Sequence, residues 1–326
     1  MLGAGDAGGA AGQPDLPADE VGDHAVQRAA PAPAQPDSWV GYPPDGYPGA
    51  VDTRAELTGF LMSRRARLQP ETVGVPRYGE RRRVPGLRRE ELAQLAGVSV
   101  THYTRLEQGH GRGVSAEVLD AVAGAMRLTR DEREHLTNLV HPPRLGPGPA
   151  GSAVRADLRC LIDGMDPTPA FVHGRHGDIL ACNDAAGRLL GDLDALPAER
   201  RTWSHLVFLE GPFRSMVAGP GWELLARRHV AYLRLGLGRY PGDPGPAGVV
   251  ESLHAASADF RRLWTEHEVA DWADVTCRLR HPVVGDIEIA VDVMKAIGEP
   301  DQWLVSFTTQ PGSPSQDALR RLANPG

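Results

Sequence analysis

The stretch LRREELAQLAGVSVTHYTRLEQG, residues 87 to 109, constrains this chain more than any other. Leu92, Ala93 and Leu95 recur at helical spacing, Gly97 interrupts them, and a second periodic run restarts at Ser99 and continues through Tyr103 and Leu106. The pattern predicts a helix, a tight turn and a second helix. Gly97 falls where a left-handed residue must end the first helix, and Ser99 falls where a side chain can accept from the exposed N–H groups that open the second. Ala93 is small enough for the two helices to cross closely, with Val98, Tyr103 and Leu106 filling the angle between them. Val100, Thr101, His102 and Arg105 then point elsewhere. In a helix-turn-helix that binds DNA, such positions at the start of the second helix enter the major groove.

Charge is distributed to match. Between Phe60 and Gly113 the sequence holds 11 Arg against 5 Glu, a net +6, which leaves −13 for the rest of a chain whose formal net charge is −7. Lys295 is the single lysine, so arginine abundance alone says little. The motif LAGVS followed by Y-x-R-L-E-Q-G resembles the Xre/Cro type of helix-turn-helix, and the longer string RRRVPGLRREELAQLAGVSVTHYTRLEQG resembles the MmyB-like regulators. On this reading Val100, Thr101, His102 and Arg105 contact bases, since Arg pairs bidentately with guanine and the Thr methyl suits a thymine methyl. Arg88 and Arg89 open the preceding helix and would contact phosphates, while Arg81, Arg82 and Arg83 would add affinity that salt weakens.

Around this unit the chain divides. Residues 1–53 are rich in Pro and Gly, with 8 and 9 of them in the first fifty positions, and are expected to form a disordered tail. Residues 54–140 carry five helical patterns. The first is marked by Leu57, Phe60, Leu61, Arg64 and Leu68; the last two are capped by Ser115 and by a Thr129/Glu132 capping box. Residues 141–152, HPPRLGPGPAGS, read as a linker.

From 153 to 324 the period changes repeatedly. Helical runs are expected over Arg155–Met165, from the Asn183-Asp184 cap to Leu190, and over Trp203–Leu209, Gly221–Leu237 and Val249–Ala270. Alternation marks strands at 169–175, 178–182, 278–281, 287–293 and 303–307. The fold class expected is therefore two-domain: an all-α five-helix N-terminal domain and an α+β domain with an antiparallel five-stranded sheet. The strings DILACNDAA, GWELLARRHVAYLR, DFRRLWTEHEV, HPVVGDIEI and PGSPSQDALRRLA again resemble the MmyB-like family, which implies a PAS-like ligand-binding domain. The resemblance spans about residues 57 to 324.

The second half carries no G-x-S-x-G elbow, H-E-x-x-H, phosphate loop or dinucleotide fingerprint, so it is not expected to be an enzyme. Cys160, Cys182 and Cys277 lack metal-ligand spacing; no metal or cofactor is expected. No apolar run is long enough to span a membrane and the N-terminus lacks signal-peptide character, so a cytoplasmic location is expected. PAS-like sheets enclose apolar cavities under their helices. Candidate walls are Phe171, Trp222, Phe260, Trp264, Ile289 and Trp303, with Arg234, Arg261, His267 and His281 as candidate polar anchors. The resemblance implies a small apolar ligand, fatty-acid-like or otherwise. The expected partners are double-stranded DNA, that ligand and a second copy of the chain, because one recognition helix reads only a few base pairs. The alternative for the second half is a module for dimerisation or partner binding alone.

Overall fold

The computed structural model describes residues 52–73, 86–143 and 153–323, apart from positions 194, 210, 218, 242, 273, 274 and 296–300. Nearly all of the expected tail, most of the expected linker and the Arg81–Arg83 run lie outside the described residues.

Among the described residues, five α-helices form the N-terminal half: α1 (Thr53–Arg67), α2 (Arg89–Leu95), α3 (Val100–Glu107), α4 (Ala116–Ala125) and α5 (Arg130–Val140). The side chain of Asp52 caps α1, Ser99 caps α3 and Ser115 caps α4, each accepting from a backbone N–H of the first turn. Gly97 adopts φ +66° between α2 and α3, and Val98 N–H closes back onto Ala93 O at 3.0 Å. Gly109 follows α3 at φ +81°, where a Cβ would lie 2.7 Å from the Arg54 carbonyl oxygen. Leu57, Phe60, Leu61, Leu92, Ala93, Tyr103, Leu106 and Val122 are buried together in one core.

At α5 the capping box is complete: Glu132 N–H donates to Thr129 Oγ1 at 3.3 Å, and Thr129 N–H donates to Glu132 Oε2 at 2.8 Å. Thr129→Ala is expected to lower stability by about 1 kcal/mol. Urea unfolding followed by circular dichroism checks this.

The C-terminal half begins with α6 (Ala156–Asp163), strands β1 (Ala170–His173) and β2 (Ile179–Cys182), and α7 (Asp184–Leu190). A helical layer follows: α8 (Trp203–Phe208), α9 (Pro212–Met216), α10 (Pro220–Arg239), α11 (Pro244–Ala256) and α12 (Ala258–Trp264). Strands β3 (Val275–His281), β4 (Gly285–Lys295) and β5 (Trp303–Thr308) and helix α13 (Pro314–Ala323) complete it. The sheet is antiparallel throughout, in the order β2-β1-β5-β4-β3, so the first and last strands of the domain pair at its centre. Burial alternates along β3, with Val275, Cys277, Leu279 and His281 turned inward. Ile287, Ile289 and Val291 of β4 join them under α10.

Two details differ from the sequence pattern. The helix expected over Val249–Ala270 is two helices. Ser257 N–H closes α11 onto Leu253 O at 2.8 Å, and the Ser257 hydroxyl accepts Phe260 N–H at 3.1 Å to open α12. After Trp264 the chain turns through His267 at φ +52° and runs on without helix as far as Trp272. Helix α9, which opens on a proline, has five residues, too few for periodicity to mark, and α13, which also opens on a proline, falls on the string PGSPSQDALRRLA.

Candidate nucleic-acid interface and ligand cavity

Helix α3 presents Val100, Thr101, His102 and Arg105 to solvent while Tyr103 and Leu106 face the core. Its orientation is fixed by a buried carboxylate. Glu107, 1 % exposed, accepts Arg65 Nε of α1 at 2.7 Å, Arg89 Nε of α2 at 2.6 Å and the Tyr103 hydroxyl at 2.8 Å. Arg65 also donates to Leu87 O at 2.7 Å. Burial would raise the Glu107 carboxyl, but the hydrogen bonds from Arg65, Tyr103 and Arg89 outweigh it and hold the group below the usual range. Burial and the Glu107 charge together push the Tyr103 phenol up, so it stays a donor. One ionised group therefore ties α1, α2 and α3 together.

Arg88 is exposed, and its N–H donates to Glu91 Oε2 at 2.7 Å at the start of α2. Arg89 is about half-exposed and is already engaged by Glu107, so it positions α3 as well as lying beside the same surface. Sequence periodicity treats Glu107 as one more polar residue near a helix end. Its four-residue spacing from the inward-facing Tyr103 was the available signal.

The two halves of the described chain meet along α10. Arg234, fully buried, pairs through Nε with Glu56 of α1 at 2.7 Å and donates to Trp264 O at 2.6 Å. His135 of α5 and His267 approach the same carboxylate at 3.7 and 3.8 Å. Around this centre, Arg64 donates to His267 O at 2.7 Å, Arg67 pairs with Glu268 at 2.7 Å, and Asp271 N–H donates to Asp131 at 2.8 Å. Arg239 pairs with both Glu134 of α5 and Asp271, at 2.6 and 2.9 Å. Leu235 and Val269 are buried within the N-terminal core itself. The contact is close enough that a Cβ at Gly59 would lie 2.3 Å from the His267 ring, and one at Gly238 would lie 2.8 Å from His135 Nδ1. Burial would raise the Glu56 carboxyl, yet the neighbouring His135 and His267 rings and the Arg234 charge drive it far below the usual range. Burial holds His135 below the usual histidine value.

The candidate ligand residues do not come together in one place. Phe171 and Ile289 lie in the core on the sheet, and Phe171 packs 5.4 Å from Trp203. Trp222, Phe260 and Trp264 belong to the helical layer. Trp222 Nε1 donates to Val207 O at 2.9 Å, and Phe260 stacks 5.3 Å from Trp264. Arg234 and His267 stand at the junction with α1. Arg261 caps α11 from the surface, donating to His254 O at 2.6 Å, and His281 accepts Val283 N–H through Nδ1 at 3.2 Å. Of the ten, Trp303 alone lines one of the cavities described next.

One cavity, of 260 Å³, lies among α7, α8 and α9. Leu190, Leu196, Leu206, Leu209 and Phe213 line it, with Arg200 and His205 also in its wall. A second is a closed gap of 20 Å³ between the sheet and the C-terminal half of α10, walled by rings from His173, Trp203, His229, Tyr232, Tyr240 and Trp303. There His173 stacks on Trp303 at 5.4 Å and 9°. Burial pushes His229 down to about 3, so its ring is neutral; Nε2 lies 2.8 Å from Ser204 Oγ. A third, of 520 Å³, is open and mostly polar, beside β2 and α7.

Among the described residues no helix is long and apolar enough to cross a membrane. No curated protein matches the chain. Residues 56–136 match the model of a helix-turn-helix domain. Residues 154–322, just over half of the chain, match the MmyB-like transcription regulator ligand binding domain. The helix-turn-helix over residues 56–136 and the five-stranded domain that follows are those of a DNA-binding transcription regulator with a ligand-sensing domain, and the chain belongs to the MmyB-like family.

Proposed function

We propose that this protein is a one-component regulator that reads a specific operator as a cytoplasmic homodimer and changes its DNA affinity when its C-terminal domain takes up a small apolar ligand. The domain division follows that reading: a head over 54–140, a connection over 141–152 and a sensor over 153–324. The observation that carries it is the exposed first turn of α3, held by the Glu107 network on a head that is itself clamped to α10. Val100, Thr101, His102 and Arg105 would read bases. Arg88, Arg89 and the Arg81–Arg83 run would follow phosphates. Two such heads on a two-fold axis would span two half-sites one helical turn apart.

A fatty-acid-like ligand suits the leucine-lined cavity of α7 to α9. Its apolar walls accept a chain, and Arg200 offers hydrogen bonds to a polar head.

Arg105→Ala should cost about 1–3 kcal/mol on the operator and flatten preference at one base position, whereas Arg88→Ala should weaken operator and random DNA alike. Titrations of both variants on operator and scrambled duplexes test this. Equal losses on both duplexes for Arg105→Ala would refute the assignment of α3 to base reading.

A further inference from the structure

The ring-walled gap beneath α10 has three properties that a packed core does not require. First, Trp203 and His229 are both 2 % exposed and both line it, yet Trp203 Nε1 and His229 Nδ1 have no hydrogen-bond partner among the described residues. An indole N–H left unpaired at that depth costs free energy that an acceptor would recover. Second, Gly236 sits in the interior of α10, where glycine is about 1 kcal/mol worse than alanine. It lines the same gap, and a Cβ there would meet nothing within 4 Å. Third, the residues of α10 that wall the gap, Tyr232, Leu233, Gly236 and Arg239, interleave with those that hold the DNA head, Arg234, Leu235, Gly238 and again Arg239.

We propose that this gap is an effector site for a small planar aromatic molecule bearing a neutral acceptor oxygen, such as a ring ketone, and that Arg239 reports its occupancy to the DNA head. The His173–Trp303 stack, with the Tyr232 ring edge-on to it, favours a flat ring. The donors Trp203 Nε1, Arg175 and Arg239 favour an acceptor. Arg175 and Arg239 are already neutralised by Asp243, Asp301, Glu134 and Asp271, so an added carboxylate would meet four of its own sign and a neutral oxygen is preferred. The 20 Å³ of free space holds about one water, so a ring enters only if the end of α10 moves. That movement draws Arg239 from Glu134 and shifts α5. Binding therefore favours a different seating of the head, which is what a ligand must do to shift affinity. This inference rests on the sensor reading above and names a cavity and a ligand chemistry distinct from the leucine-lined one.

The test uses the full-length protein and calorimetric titration with chromone, naphthalene, 2-naphthoate and decanoate. Chromone is expected to bind one per chain, and naphthalene and 2-naphthoate each about tenfold more weakly. Gly236→Leu fills the gap and should abolish chromone binding while leaving any decanoate binding unchanged. Gly236→Ala, which adds one carbon to open space in a helix, should fold at least as well and bind chromone more weakly. Chromone should also change operator affinity in the wild type and not in Glu134→Gln. Chromone binding that is equal in Gly236→Leu, equalled by naphthalene or 2-naphthoate, or absent would overturn the site or its ligand class. Chromone binding with no change in operator affinity would overturn the coupling through Arg239. Each of these results leaves operator recognition and a chain-binding sensor standing, because those are read on operator and decanoate separately.

Discussion

Replacing Glu107 with leucine should destabilise the protein by about 3–5 kcal/mol, because it leaves buried cationic and hydroxyl partners with no counter-charge. Leucine keeps much of the volume, so little of the effect is a cavity. Arg65, only 9 % exposed, loses the carboxylate that receives two of its nitrogens. Tyr103, 1 % exposed, loses its hydroxyl's acceptor. Arg89 reaches solvent and contributes less. The variant should also lose operator affinity, since α3 is no longer tied to α1 and α2. A double variant, Arg65→Met with Glu107→Leu, should recover part of the stability and little of the DNA affinity, because an apolar pair can replace a buried ion pair in stability but cannot restore the hold on Arg89. Urea titrations of the two variants and the wild type check the order. A Glu107→Leu protein within about 1 kcal/mol of wild type would contradict the network, since this is what an exposed pair is worth.

Arg234→Met should be nearly as costly, about 3–5 kcal/mol, for the same physical reason at the other end of α1. It removes the guanidinium that faces Glu56 and strands the carboxylate between His135 and His267. Because Leu235 and Val269 complete the N-terminal core, loosening α10 exposes the head as well as the sensor. The transition should remain single in the wild type and split into two in the variant, with the head melting first. Hydrogen exchange on α1 and α5 measures this directly. Unchanged protection of α1 in Arg234→Met would show that the junction does not support the head.

These networks also set the acid limit of the fold. Glu56 and Glu107 have folded-state values below their unfolded ones, so their contribution is present above about pH 4.5 and is lost as pH falls toward the lowered values. His135 and His229 are held neutral by burial, whereas their unfolded forms take up protons below about pH 6.5. The unfolded state binds more protons in both cases. Stability should therefore decline from about pH 6.5 downward and steepen below about pH 4.5. Thermal unfolding between pH 8 and pH 4 reads the slope, and a melting temperature flat to about pH 5 would contradict the histidine contribution.

Periodicity revealed the helices of the head because apolar residues recur on one face of each and small polar caps mark where they begin; Ser99, Ser115 and Thr129 cap as their positions foretell. The strands were legible for the same reason, Ile287, Ile289 and Val291 alternating with polar neighbours. What periodicity could not show is which charged residues turn inward. Glu56 and Arg64 share a helix face with Leu57, Phe60 and Leu61, and only the arrival of α10 and α5 supplies their partners. Arg234 and His267 illustrate the same limit from the sensor side. Their polarity suggested ligand anchors, but they sit where two halves of the chain close on Glu56. The ring gap escaped notice because its walls come from β1, α8, α10 and β5, which are distant in sequence.

In the function proposed above, α3 reads a specific sequence on behalf of the sensor behind it. The most direct measurement is selection of genomic DNA fragments by the purified full-length protein at two salt concentrations. An inverted repeat recovered at both salts, with half-sites about one helical turn apart, is the predicted result. Recovery of only sequence-independent fragments that vanish at the higher salt would contradict it, because phosphate contacts alone give that behaviour.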